Sequence, residues 1–369
     1  MHRTSSPRAL AAPSRPGSLT RPGFWLLASL CALSLGSCTK SSAADKPREQ
    51  GAGGYPPITI KFSDPQNYGI YAYAKREGIL EKELAKVNAK IEWVPAAGAF
   101  SANFEAMNSG AMNASAGAIS PVIGALAHNL NFRIFALGDP SDARQAGIIS
   151  PKGSAIKTAQ DLIGKRVAVN QAAHGDYMLL KLLANHGIPA SQVTRVPIQP
   201  PDAAAAFATG KIDAWSTFGV FFSTAVRNGA NVLAFESDLQ SDDVTITAAN
   251  EQLLKQNPAA FQVLLKTAQG LARQAHEQPE KFVNVFTDKG PTAVSGERLE
   301  FLIEEQRATP VQRVPNASDR QRVANVAKLF FDNQSIDRNI SVDSIVFDID
   351  EAAKQQSTQK AVQKLGGAT

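Results

Sequence analysis

Four groups of polar and aromatic residues stand where a strand-like apolar run gives way to a helix-like one: Gln66, Asn67 and Tyr68; Ser120; His174 and Asp176; Trp215 and Phe218. Backbone N–H groups at a helix start, with the dipole behind them, favour negative charge by roughly 0.3–1 kcal/mol. Side chains at such junctions therefore hold an anionic ligand or merely cap the helix. For Gln66 and Asn67 both readings stand. Ser120 precedes Pro121 and carries the signature of a cap, although a cap hydroxyl at a cleft also suits an anion. His174 reads equally as a loop histidine with a backbone bond and as a ligand contact, and Asp176 competes with any anion for the same helix start. Phe218 offers a stacking face, whereas Trp215, third in a buried strand, reads first as core. Arg144 is the nearest candidate cation for an acidic ligand, with a surface arginine as the other reading.

Two matching stretches must position these groups. Residues 106–114 and 206–214 each end a helix-like run with Ser-Gly or Thr-Gly and then start a buried strand at Met112 or Ile212. Glycine supplies the left-handed residue that stops a helix. The strands open into residues 115–120 and 215–219. Ligands of open α/β sheets bind beyond the carboxyl ends of strands, so two such units facing each other would frame a cleft between lobes.

The other elements follow from hydrophobic period and stop signals. Residues 58–62 alternate as a strand, and a helix runs through Tyr71, Ala74, Leu80 and Leu84. Residues 91–94 are a strand, and a helix opens at 98–101. Strands at 132–137 and 145–149 flank a polar segment where the chain crosses between lobes. Residues 157–170 make a short helix, a turn and a strand, followed by a long helix through Met178 and Leu183. A strand at 193–198 and a helix from Pro200 lead into the second twin, and residues 244–248 cross back. The rest is helical, at 251–256, 258–278, 279–286, 297–307 and 318–333.

The N-terminus is of a different kind. Arg3, Arg8, Arg15 and Arg21 precede an apolar run at 24–35 that is too short for a membrane span of roughly 20 residues and reads as an export signal. It closes with Leu35, Gly36, Ser37 and Cys38, which resembles the bacterial lipobox and implies a lipid on Cys38. Residues 1–37 are then the signal, and 38–56 a Ser-, Ala- and Gly-containing tether. Cys31 leaves with the leader, so the body holds no thiol for a disulfide or a cysteine–metal site. The net charge of +5 falls to about +1 without the four leader arginines, which removes the support for nucleic-acid binding. No phosphate-binding Gly-rich loop, no nucleophile elbow, no zinc helix and no metal-spaced histidines occur. The pattern is that of a binding protein without cofactors, not an enzyme.

Residues 201–215, with 161–169, 91–94, 110–112 and 154–157, are similar to the aliphatic sulfonate, taurine and nitrate-type solute-binding proteins of ABC importers. The similarity spans about residues 58–346. It implies an α/β, two-lobed type II periplasmic-binding-protein fold with two crossover hinge segments and a helical C-terminal part. Lobe I would comprise residues 57–140 plus 245–369, and lobe II 141–244. It also implies a monomer, lipid-anchored in the periplasm or at the cell surface, that delivers a small organic anion, such as an aliphatic sulfonate or related organosulfur compound, to a permease with a separate ATPase. Departures weaken the sulfonate assignment. Residues 218–220 lack the Trp-Asp-Pro of sulfonate binders, and 115–120 and 172–176 carry methyls and other groups where those proteins have hydroxyls. Each hydrogen bond lost to a charged group costs about 1.5–3 kcal/mol. Residues 64–71 loosely resemble binders of thiamine pyrimidine precursors, which would make the ligand a flat heterocycle. A pyrimidine-synthase-like enzyme, with Lys61 compared to its pyridoxal phosphate lysine, and a purely structural envelope lipoprotein are the remaining alternatives.

Overall fold

The computed structural model describes residues 54–96, 99–140, 144–287 and 293–366. The leader, Cys38 and the tether as far as residue 53 lie outside the described residues. In chain order the first elements are β1 (Ile58–Ser63), α1 (Ile70–Glu77), α2 (Ile79–Ala85), β2 (Ala89–Val94), α3 (Phe104–Asn108), β3 (Ala114–Ala118), α4 (Ile119–Ala127) and β4 (Phe132–Leu137). Next come β5 (Ala146–Ser150), β6 (Arg166–Val169), α5 (His174–Asn185), β7 (Thr194–Pro197), α6 (Pro200–Ala208), β8 (Ala214–Phe218), α7 (Gly219–Arg227) and β9 (Asn231–Phe235). The chain finishes with β10 (Thr245–Asn250), α8 (Glu251–Gln256), α9 (Pro258–Glu277), α10 (Glu297–Arg307), α11 (Ala317–Asp332) and α12 (Ile349–Gly366).

Two five-stranded mixed sheets result, ordered β2-β1-β3-β10-β4 and β7-β6-β8-β5-β9. Their plans correspond strand for strand. In the first, β1 runs parallel to β2 and β3, while β10 lies antiparallel between β3 and β4. In the second, β6 runs parallel to β7 and β8, while β5 lies antiparallel between β8 and β9. The central positions go to the twins, β3 and β8. Gly110 (φ 72°) and Gly210 (φ 68°) supply the left-handed residue after α3 and α6, and Met112 and Ile212 beyond them are buried. The chain is thus α/β and two-lobed, as expected.

Alternation in β1 buries Ile58, Ile60 and Phe62, which pack with Leu80, Leu84 and Phe261 beneath the first sheet. Beneath the second, Trp215 clusters with Ala203, Ile212 and Phe222. A third cluster joins both sheets, drawing Ile119 and Val122 from α4, Met178 and Leu182 from α5, and Val323 and Phe330 from α11. The helical C-terminal part thereby closes the floor beneath both lobes.

Several local expectations change. The helix through Tyr71 and Leu84 is two helices, because Gly78 is left-handed (φ 61°) and ends α1. The expected helix at 279–286 is one 3-10 turn, Pro279–Phe282, and the helix opening at 98–101 begins as a 3-10 turn at Phe100–Asn103. Ser120 is not the cap of α4. That helix starts at Ile119, two residues earlier than a Ser120 cap would place it, with Ala118 in the cap position and no side-chain cap bond.

Candidate functional site

A cleft of about 790 Å³ opens where the carboxyl end of β3 and the loop before α1 meet the starts of α5 and α7. Tyr68, Tyr71 and Phe100 line it from the first lobe and Phe218 from the second. The Phe218 ring stands edge-on to His174 with centroids 5.0 Å apart. Tyr71 hydrogen-bonds the Thr247 hydroxyl at 3.3 Å, and Thr247 in turn donates to Gln312 at 2.6 Å. Burial pushes the Tyr71 phenol up to about 12, so it stays a neutral donor.

Polar groups on the second side form one connected cluster. The Asp243 carboxylate, wholly buried, accepts the Ser120 backbone N–H at 2.8 Å and the Ser120 hydroxyl. It also accepts His174 Nδ1–H at 2.8 Å, and the opposite ring nitrogen, Nε2, meets Glu236 at 3.1 Å. With a carboxylate at each nitrogen, both ring positions must donate, which requires the imidazolium. Burial opposes that charge, but Glu236 and Asp243 outweigh it and hold the His174 pKa well above 6.5. The first turn of α4, where a helix favours an anion, is therefore already served by the protein's own carboxylate.

A second acidic group approaches from the far end of the chain. The last turn of α10 brings Glu305 and Gln306 to the cleft beside Tyr68 and Gly69. Burial pushes the Glu305 carboxyl up to about 7, partly offset by Arg298 on the same helix. The sign of its effect on stability follows from linkage. Below 4.5 the carboxyl is neutral folded and unfolded; between 4.5 and about 7 only the unfolded chain has released the proton, so stability falls as pH rises through that window. Glu305→Gln is expected to gain stability over wild type across it and keep the gain above, checked by urea unfolding at about pH 5 and about pH 8.

Of the residues expected from sequence, Tyr68, His174 and Phe218 line the cleft, and Ser120 lies buried just behind it. The rest lie elsewhere. Gln66 is an exposed turn residue at φ 63° whose N–H donates to Asp64. Asn67 ties its loop to residues 285–287, accepting the Phe286 N–H at 2.7 Å. Asp176 is fully buried, accepting from the Ala172 N–H and from Arg195, each at 3.0 Å, beside a different hollow. Trp215 is core, 5.7 Å from the Phe207 ring and 6.1 Å from Phe221. Arg144 stacks on Phe235 at 4.6 Å and lines a neighbouring groove. Sequence reasoning missed Ser101, Asn170, Glu236, Asp243, Glu305 and Gln306, all on the cleft wall. None sits in a motif. Only the flanking of a crossover by Glu236 and Asp243 gave a signal. Among the described residues no cluster of His, Cys, Asp or Glu could hold a metal ion, and no helix is long and apolar enough to cross a membrane.

The family profile described as NMT1/THI5 like matches residues 99–282, a stretch that includes β3, the second sheet and α9. Over that stretch the chain is similar to the NMT1/THI5-like family. A protein of Escherichia coli (strain K12) named for binding aliphatic sulfonates is 28% identical over 275 residues, covering 73% of this chain and 82% of that protein. Among solved structures, the alkanesulfonate-binding protein SsuA from Xanthomonas axonopodis pv. citri bound to MOPS superposes with a TM-score of 0.67 at 21% identity, over 79% of this chain and 99% of that one. The periplasmic aliphatic sulphonate binding protein SsuA from Escherichia coli gives 0.63 at 23%, over 79% and 92%. The fold is thus that of the periplasmic binding proteins, in its two-lobed type II form.

Proposed function

We propose that this chain is the extracytoplasmic solute receptor of an ABC importer. It captures a small organic molecule in the inter-lobe cleft and delivers it to a membrane permease with a separate ATPase. The observation that carries this reading is the cleft itself: about 790 Å³ between two sheets of matching plan, lined by aromatic rings and hydrogen-bonding side chains. That size suits a drug-sized or smaller molecule. Binding rather than catalysis is the economical reading, since His174 is locked between two carboxylates and is not free to act as a base. The similarity to sulfonate-binding proteins supports an organosulfur solute as the first ligand class. A flat heterocycle is the second, favoured by the aromatic lining of the cleft and by the Glu305 carboxyl on its wall.

The leader supports export and a lipid on Cys38, which would tether a monomeric receptor in the periplasm or at the cell surface. Lobe I then comprises residues 57–140 with 245–369, and lobe II 141–244. Thermal-shift screening against alkanesulfonates, aromatic sulfonates, carboxylates and pyrimidines tests the reading. A ligand at a hundred times its dissociation constant adds about 2.7 kcal/mol of apparent stability. Phe218→Ala is expected to weaken whichever solute binds by about 0.5–1.5 kcal/mol for the lost ring contact, beyond the area it buries, as read by calorimetric titration. A folded protein unmoved by the whole panel would sink the receptor assignment.

A further inference from the structure

The last turn of α10 is chemically unlike the rest of the cleft wall. Asp243 and Glu236 are satisfied by Ser120 and His174, but Glu305 has no hydrogen bond or ion pair among the described residues. Next to it Gln306 is only 4% exposed, lines the cleft, and likewise has no side-chain hydrogen bond among the described residues. Its amide, unclaimed by the protein, faces the cleft and is available to a docked solute. The loop opposite is close: a Cβ placed on Gly69 would lie 3.8 Å from Gln306 Oε1, and the Tyr68 phenol feels the Glu305 charge. The carboxyl end of an 11-residue helix adds partial negative charge at the same place. The Glu305 carboxyl, the Gln306 side-chain carbonyl, an aromatic face and a helix C-terminus all favour a cation.

We propose that Glu305, Gln306 and Tyr68 form a subsite for a protonated amine on the imported solute. Glu305 is its counter-ion, the Gln306 side-chain carbonyl is a second acceptor, and the Tyr68 ring is a cation-facing wall. The assignment rests on the receptor reading above and narrows it to amine-bearing solutes. A plain alkanesulfonate would leave the subsite unfilled. Glu236 and Asp243 do not compete for the amine, because His174 already pairs with both.

The test titrates the full chain calorimetrically with three probes of one shape: 2-phenylethylamine, its neutral counterpart 2-phenylethanol, and 2-phenylethanesulfonate. Wild type is expected to bind the amine at least about tenfold more tightly than the alcohol, the scale of a charge-assisted hydrogen bond. Glu305→Gln should erase that preference, and Glu305→Asp should retain part of it. Equal affinity for amine and alcohol, or a preference that survives Glu305→Gln, overturns the subsite. Binding of the sulfonate but not the amine also overturns it and leaves the receptor reading standing. If no member of this trio or of the wider solute panel binds the folded protein, both fall together.

Discussion

Asp243→Ala is expected to cost about 3–5 kcal/mol of stability, the range for removing one partner of a buried ion pair. The carboxylate is fully buried and accepts three hydrogen bonds: two from Ser120 at the start of α4 and one from His174 at the start of α5. Its loss strands a Ser120 hydroxyl and N–H that water does not reach, and leaves His174 with Glu236 alone. The segment carrying Asp243 is held from both sides. Its own N–H donates to Ser241, and the neighbouring Asp242 N–H donates to the Tyr177 hydroxyl at 2.8 Å, so the backbone does not drift to compensate. Asp243→Asn should cost less, because the amide oxygen still accepts from Ser120. Linkage supplies a second signature. A histidine raised in the folded state contributes stability that is complete below its unfolded value of 6.5 and is lost as pH rises through the folded pKa. Urea unfolding across that range should therefore show a decline in wild type that is shallower in Asp243→Ala. An unchanged midpoint would mean that the cluster contributes nothing to the fold.

The placement of that cluster shows what sequence reveals and what it hides. The twin helix-stop-strand units were legible because their signals are local: Gly110 and Gly210 must be left-handed, and Met112 and Ile212 must be buried. The strands they introduce stand at the centre of both sheets. β9 went unseen because every residue of its Asn-Val-Leu-Ala-Phe run is half-buried, leaving no alternation at a sheet edge. α12 went unseen because it is polar nearly all round. Among site residues, His174 and Phe218 were legible as strand-to-helix junction residues. Glu305 and Gln306 were not, since they reach the cleft only through the packing of α10 near α9 and the 3-10 turn at Pro279–Phe282. Asp176 shows the opposite limit. A helix start bearing an acid invites a ligand-site reading, yet its carboxylate is spent on Ala172 and Arg195.

That inward use of Asp176 sets the second large effect. Gly124→Ala is expected to destabilise the protein by about 1–3 kcal/mol, the usual cost of overpacking, and to weaken solute binding as well. Gly124 lies inside α4, where a Cβ would come within 2.3 Å of the Ala172 carbonyl oxygen in the loop between β6 and α5. Such a contact is relieved only if one backbone moves. Ala172 is poorly placed to yield. It already sits at φ 50°, and its N–H is held by Asp176. Asp176 is held by Arg195, and Arg195 donates to Ser335 at 2.7 Å and to the Asn333 carbonyl at 2.6 Å. The strain must then pass into α4 or α5, the two helices whose first turns meet on Asp243 through Ser120 and His174. Displacing either misaligns the cleft wall that carries His174 and Phe218. Stability from urea unfolding and affinity from calorimetry should therefore fall together in Gly124→Ala. Gly270→Ala is the control, since it sits in α9 with nothing within 4 Å of its added Cβ and should change neither for the worse. If Gly124→Ala loses stability with affinity intact, the α4–loop contact supports the fold without setting the cleft.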